Sequence, residues 1–278
     1  MLQSTIKYKT PISYYGGKQQ LVKKLLAMVP NHRIYCEPFF GGGALFFAKK
    51  QSYLEVINDT NDNLINFYLV LQNNFDDLQH LIQCTLSSES IFRWAHSVYF
   101  GTEKTDKMHR ALATWIMCND SFMCTPIGSW KWDNGTDNSH HGRVYEHLRR
   151  NFQPWLKHRL ASVQISCRDA LKVIRQRDTP ETFFYLDPPY PETDQGHYSG
   201  YTIEHLEQLL TLLQQIKGKF LLSNYANPLL EQYAARNNWQ LKYYTMNKSS
   251  VNAYQKTTKT ECLLFNYEIG YYHQLTLF

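Results

Sequence analysis

The stretch Phe183-Phe184-Tyr185-Leu186-Asp187-Pro188-Pro189-Tyr190 places a carboxylate, a rigid turn and an aromatic ring in direct succession. This arrangement suits amine chemistry. An aromatic exocyclic amine is a poor nucleophile, because its lone pair is delocalised into the ring. The Asp187 carboxylate and the Pro188 carbonyl, fixed side by side, can each accept one N–H of such an amine. That holds the nitrogen and favours the geometry in which its lone pair attacks. Tyr190 can stack on a flat substrate, and such stacking contributes about 1–3 kcal/mol per base. The competing reading is an ordinary strand-to-loop turn with Asp187 as a cap.

The position of the stretch supports the chemical reading. The run 183–186 is short and apolar, as in a parallel strand buried on both faces. Two prolines cannot continue a central strand, because they lack the N–H that the ladder needs. Asp187 therefore sits just past the carboxyl end of a strand, where open α/β sheets bind their ligands.

Two further stretches can serve the same site. Tyr14-Tyr15-Gly16-Gly17-Lys18 is a turn followed by an amphipathic helix through Leu21, Val22, Leu25 and Leu26. Lys18 can hold a carboxylate or phosphate, or can be a solvated side chain after a turn. A strand at 33–38 runs into Phe39-Phe40-Gly41-Gly42-Gly43 and then a helix at 44–50. Strand, glycine turn and helix open a nucleotide-binding βαβ unit. There is no G-x-G-x-x-G and no P-loop lysine, which argues for a ligand without phosphates. A second strand, 53–57, ends at Asn58-Asp59. An acidic residue there binds ribose hydroxyls in such folds; the alternative is a cap for a helix at 63–69.

The βα rhythm then stops. Between 63 and 154 the pattern is helical, at 67–71, 75–84, 91–99 and 109–117. A polar loop at 127–141 follows, with Asn134-Gly135 near Trp130 and Trp132 as a hairpin signal. Trp130, Lys131, Arg143, Arg149 and Arg150 can track a phosphate backbone there, or the segment is simply a surface hairpin. The rhythm resumes with a strand at 161–166 ending in Arg168-Asp169 and a helix at 170–175. The strand at 183–186 and a helix from Ile203 to Gly218 come next. Strand 220–223, a helix at 228–236 and strands 240–245 and 261–265 complete the chain. The expected fold is a doubly wound α/β sheet, mostly parallel with its last strand antiparallel, interrupted by a mainly helical insert.

Composition sets the outer limits. The 278 residues are 43% hydrophobic, enough for a large packed core. No stretch is long and apolar enough to span a membrane, and residues 1–5 carry no apolar signal region. A soluble cytoplasmic protein is expected. The net charge of +5 permits a polyanionic partner without demonstrating one. Six cysteines are scattered with no C-x-x-C pair, so they read as reduced thiols. Cys118, Cys124, His140 and His141 match no familiar zinc spacing, and no metal is expected.

Asp187-Pro188-Pro189-Tyr190, with Pro38-Phe39-Phe40-Gly41-Gly42-Gly43 and Tyr14-Tyr15-Gly16-Gly17-Lys18 before it, resembles the Dam-type (alpha-group) DNA adenine-N6 methyltransferases. The likeness covers the whole chain in order. It implies a Rossmann-like methyltransferase sheet formed by 1–62 and 155–278, with 63–154 as an inserted DNA target-recognition subdomain. It implies S-adenosylmethionine as methyl donor, no metal, and double-stranded DNA as substrate. Tyr14, Gly17 and Lys18 match positions near the donor's methionine portion, with Lys18 on its carboxylate. Glu37, Pro38, Phe39, Phe40, Gly41 and Gly43 match the motif that wraps the donor. Asp59 matches the ribose ligand and Asp169 the carboxylate facing the donor's adenine. Asp187 and Pro188 would hold the target amine, with Pro189 completing the rigid turn and Tyr190 stacking on a flipped-out base. The stretch 194–198 would form a loop over that base. A bacterial or phage-encoded enzyme acting as a monomer is expected. Tyr14 stands where some relatives carry Trp. Two other readings compete: an amino methyltransferase acting on RNA adenine, DNA cytosine-N4 or a protein amide, and a nucleic-acid-binding protein without turnover.

Overall fold

A computed structural model describes residues 9–125, 127–134, 140–191, 200–247 and 258–269. In chain order it contains α1 (Val22–Leu26), β1 (Ile34–Glu37), α2 (Ala44–Ala48), β2 (Leu54–Asn58), α3 (Asp62–Asn73), α4 (Phe75–Cys84), α5 (Glu89–Tyr99) and α6 (Lys107–Asp120). These are followed by α7 (His141–Arg150), α8 (Trp155–Leu160), β3 (Gln164–Ser166), α9 (Ala170–Arg177), β4 (Thr182–Leu186), α10 (Ile203–Leu213), β5 (Lys219–Tyr225), α11 (Pro228–Asn237), β6 (Gln240–Asn247) and β7 (Thr258–Phe265).

The seven strands lie in the order β3-β2-β1-β4-β5-β7-β6. β1 pairs in parallel with β2 on one side and β4 on the other. The chain order thus reverses beside β1, and the crevice outside that point is where doubly wound sheets bind ligands. β7 runs antiparallel between β5 and β6. Its first residues therefore lie level with the carboxyl ends of β4 and β5.

Strand side chains alternate between faces, and each face has its own core. Tyr35, Ile57, Phe183, Tyr185, Leu221, Leu263 and Phe265 join one core with α1 to α4, α6 and α8. Cys36, Val56, Phe184, Leu186, Leu222 and Leu264 join the other with α9, α10 and α11. With both faces covered, every residue of β4 is buried, so its sequence is apolar throughout rather than alternating. The helices between β2 and β3 share the first core instead of standing apart from it.

A buried ionic cluster ties these helices to the sheet. Glu55 of β2 is 2% exposed and accepts from Lys49 at 2.5 Å. Arg159 of α8 pairs with both oxygens of Glu55 and donates to the Phe46 carbonyl at 2.8 Å. The two cations hold the Glu55 carboxyl below its usual range against the opposing effect of burial. Burial in turn lowers Lys49 to about 8.

Local readings are refined at several points. The alternative reading of Asp59 as the cap of α3 does not hold; the Asn61 side chain accepts from the backbone of Asn63 and Leu64. The reason is register, because the helix starts two residues beyond the Asp59 turn. The strand expected at 161–166 is shortened to β3, since 161 and 162 form the turn leaving α8. Of the hairpin expected at Asn134-Gly135, residues 135–139 lie outside the described residues; Trp130 itself forms an isolated antiparallel bridge with Ser121. Residues 131–134 are not strand, and the stretch 194–198 also lies outside the described residues.

Removing Glu55 leaves two buried cations without their partner. Glu55→Gln is expected to lower the unfolding free energy by about 3–5 kcal/mol, read from urea unfolding. A loss below about 1 kcal/mol would mean that the cluster does not anchor α8.

Candidate active site

The carboxyl ends of β1, β2 and β4 open into a cleft of about 1330 Å³. Tyr14, Gly17, Lys18, Glu37, Pro38, Phe39, Phe40, Gly41, Gly43, Asp59, Asp169, Asp187, Pro188, Pro189 and Tyr190 all line it. Residues more than 170 positions apart in sequence thus converge on one crevice. Trp130, Lys131, Arg143 and Arg149 do not line it.

One face of the sheet explains the polar lining. Tyr35 and Tyr185 lie on the first core's face, so Glu37 and Asp187, two residues further along each strand, point the same way. Ser223 follows Leu221, and Glu261 precedes Leu263, on that same face. Four apolar columns thus end in polar groups where the strands meet the cleft.

These groups bind one another. Lys18 Nζ lies 2.8 Å from Asp187 Oδ1 and 3.7 Å from Glu261 Oε1. It also donates to the Gly16 carbonyl at 2.9 Å and sits 4.8 Å from the Tyr190 ring centroid. The single proton of the Tyr190 hydroxyl has two acceptors within reach, Asp187 Oδ1 at 3.1 Å and Glu261 Oε1. Ser223 Oγ donates to Glu261 Oε1 at 2.6 Å. Burial pushes the Asp187 carboxyl up, Lys18 draws it down, and Glu261 pushes it up again. Burial opposes the charge on Lys18, but the two carboxylates outweigh it and hold the ammonium above its usual range.

Glu261 and Ser223 were not singled out from the sequence. The signal was present: Glu261, Leu263 and Phe265 share one face of an apolar strand, and a carboxylate in such a column requires partners. The partners themselves lie on other strands.

Asn58 is a second such residue. Its amide donates to the carbonyls of Pro38 and Arg168, both at 2.9 Å. Its oxygen accepts from Arg168 N at 2.9 Å and Ser166 Oγ at 2.8 Å. One buried amide therefore clips together the loops leaving β1, β2 and β3.

Asp59 is bound from both sides by backbone. Oδ2 accepts from Gly41 N and Oδ1 from Asn61 N, each at 2.9 Å. Burial pushes this carboxyl up despite those bonds. Asp169 caps α9 by accepting from Lys172 N at 3.0 Å. It is solvent-exposed at the rim of the cleft.

The glycine turn is shaped by necessity. Gly41 and Gly43 have φ of +48° and +65°, in the left-handed region that side chains avoid. A Cβ on Gly43 would meet the Phe40 ring at 2.5 Å. Phe40 itself is buried against Tyr68, with ring centroids 4.8 Å apart.

The cleft fits a nucleoside-like donor. Side chains are excluded from the turn at Gly41 and Gly43, so backbone faces the crevice. The buried Tyr185 ring forms part of the cleft wall. Asp59 lies beside the turn, as a ribose ligand requires.

The four residues expected to meet DNA divide into two kinds. Trp130 is half-buried and donates to Ser87 Oγ at 3.4 Å. Arg149 donates to the Gln83 carbonyl at 2.7 Å and is also half-buried. Lys131 is half-buried, and Arg143 is exposed on α7.

An α/β sheet of this order, with an acidic Pro-Pro-Tyr turn and a glycine turn in one crevice, defines an S-adenosylmethionine-dependent amino methyltransferase. The chain belongs to the D12 class of N6 adenine-specific DNA methyltransferases, whose family model matches residues 14–261. It is 30% identical over 244 residues to the type II methyltransferase M1.LlaDCHI of Lactococcus lactis subsp. cremoris, covering 78% of this chain and 81% of that one. It is 27% identical over 223 residues to the type II methyltransferase M.MjaIII of Methanocaldococcus jannaschii, covering 71% and 74%. A DNA adenine methylase of Haemophilus influenzae is 23% identical over 218 residues, covering 72% and 70%. The activity is methylation of adenine N6 in DNA with S-adenosylmethionine as donor. Among the described residues, no group of three metal-ligating side chains occurs and no helix is long and apolar enough to cross a membrane.

Glu37 gives this site a pH signature. Burial raises its carboxyl from 4.5 to about 8, opposed by the Tyr35 hydroxyl, which donates to it at 2.6 Å. The folded protein keeps this proton up to about pH 8, whereas the unfolded chain releases it near 4.5. Stability contributed by the neutral form is therefore lost as pH rises through that window, by at most about 1.4 kcal/mol per pH unit. Glu37→Gln is expected to gain in unfolding midpoint relative to wild type between pH 5.5 and 8.5, measured without donor. A pH-independent difference would remove Glu37 as the source.

Proposed function

We propose that Asp187 and the Pro188 carbonyl hold the N6 amine of a flipped-out adenine, and that Tyr190 stacks on its ring. The observation that carries this reading is the geometry around Asp187. A lysine at 2.8 Å opposes its protonation, a rigid Pro-Pro turn follows it, and the next ring is bonded back to it. When bound, S-adenosylmethionine supplies an electrophilic methyl group. The protein's part is to orient the amine, exclude water and stabilise the charge that develops on nitrogen. Flipping is required because the reacting nitrogen must enter a crevice that a stacked base cannot reach.

In this reading the turn from Pro38 to Gly43 wraps the donor. Asp59 binds its ribose, and Asp169 faces its adenine. Tyr14 and Gly17 border its methionine portion. The Lys18 ammonium serves two neighbours: it neutralises Asp187 and remains within the same wall for the donor's carboxylate. Neither metal nor covalent intermediate is needed.

The segment 63–154 reads the target sequence. Exposed Trp132 and Arg143 are better placed for DNA than Trp130 and Arg149, whose polar groups are committed to Ser87 and Gln83. Their role is to hold the reading surface against α4. The protein acts as a monomer in the cytoplasm of a bacterium or a phage-infected cell, because one flipped base needs one active site.

The test is transfer of labelled methyl groups to unmethylated duplex DNA, followed by nucleoside analysis. Asp187→Ala is expected to lower kcat at least a hundredfold, the scale of losing one preorganised hydrogen-bonding group, while donor affinity stays within a few fold. Activity within tenfold of wild type would remove Asp187 from the catalytic role.

A further inference from the structure

We infer that Glu261 is a positioning residue for methyl transfer, acting through the Tyr190 hydroxyl. The inference rests on the proposed roles of Asp187 and Tyr190 and extends them to a strand that neither motif includes.

Glu261 is 6% exposed and stands at the cleft end of β7. One oxygen, Oε1, gathers three groups from three different elements. It accepts from Ser223 Oγ of β5 at 2.6 Å and from the Tyr190 hydroxyl of the loop after β4. It also faces Lys18 Nζ of the N-terminal turn at 3.7 Å.

A stacking ring is useful only if its plane is fixed. The Tyr190 ring is carried by a loop, and its backbone alone leaves the side-chain torsions free. The hydroxyl's one proton is held between the Glu261 and Asp187 carboxylates, with Ser223 Oγ 3.2 Å away, and this polar seat fixes the far end of the ring. The Tyr225 ring packs edge-on against it, 4.5 Å between centroids. Glu261 thus orients the platform on which the base rests and, through the same hydroxyl, the Asp187 oxygen that the phenol also reaches.

The antiparallel direction of β7 makes this possible. A parallel strand would bring its carboxyl end to the cleft. β7 brings its beginning, so the acidic residue that opens its buried portion meets the ends of β4 and β5.

The test is a double-substitution cycle on kcat with duplex DNA and saturating donor. Glu261→Gln keeps the side-chain volume but removes the charge that draws the hydroxyls together. It is expected to lower kcat at least tenfold, with the donor dissociation constant within twofold of wild type. Tyr190→Phe keeps the ring and removes the hydroxyl. In that background the Glu261→Gln step should cost less than threefold. A loss under threefold in the wild-type background, or an equal loss in both backgrounds, would overturn the inference. Should Glu261→Gln fail to fold, Ser223→Ala removes one of the donors that hold Glu261 Oε1 in place. Its loss of kcat, threefold or more, should likewise disappear in Tyr190→Phe, and a persistent loss would overturn the inference. Asp187→Ala run in parallel separates the two levels. If it stays active, the underlying reading of the site fails. If it is inactive while Glu261→Gln is not, only the role of Glu261 fails.

Discussion

A lysine ammonium lodged between two buried carboxylates organises this site. Lys18 is 9% exposed and lies within salt-bridge distance of Asp187 and Glu261. A carboxylate removed from water is driven to take up a proton, and a protonated Asp187 offers one acceptor fewer to an amine. Burial and Glu261 both push Asp187 in that direction, and Lys18 pushes back. One cation among these acidic groups leaves the wall electronegative, which suits the amine donor proposed for it.

The fold exists to bring these charges together. Lys18 precedes the first strand, Asp187 follows the fourth, and Glu261 lies in the seventh, paired with the last residue of the fifth. The strand order puts β4 beside β1 at the reversal point, and the N-terminal turn lies across that end. The glycine turn then brings backbone close to the crevice where a side chain at Gly43 would collide with Phe40. Asn58 locks the neighbouring loops with four hydrogen bonds. On the opposite end of β2, Glu55 joins α8 to the sheet.

Much of this was legible in sequence because it is local. β4 reads as a buried strand from its apolar run, and its prolines mark its end. The helices α4 and α5 follow from their spacing of apolar residues, and the glycine turn from its neighbours. Asp59, Asp169 and Lys18 were expected at the cleft and line it. What failed to show is non-local. Nothing near Lys18 in the chain indicates that its nitrogen meets Asp187, 169 positions later. Glu261 gains its meaning only when β7 is threaded antiparallel between β5 and β6. Trp130 and Arg149 have the right chemistry for nucleic acid, yet tertiary contacts with Ser87 and Gln83 occupy their polar groups. The cap offered as the alternative role of Asp59 falls instead to Asn61, because two adjacent turns compete and spacing alone does not decide between them.

The central claim is that Lys18 draws the Asp187 carboxyl down against burial and Glu261, which together still leave it above its usual range. The direct measurement is the pH dependence of kcat/KM for methyl transfer in wild type and in Lys18→Met. Without the ammonium, burial and Glu261 act on Asp187 unopposed, so its carboxyl should hold its proton to higher pH. The account predicts that the acid limb of the profile moves upward by a pH unit or more. An acid limb at the same pH in both proteins would contradict it.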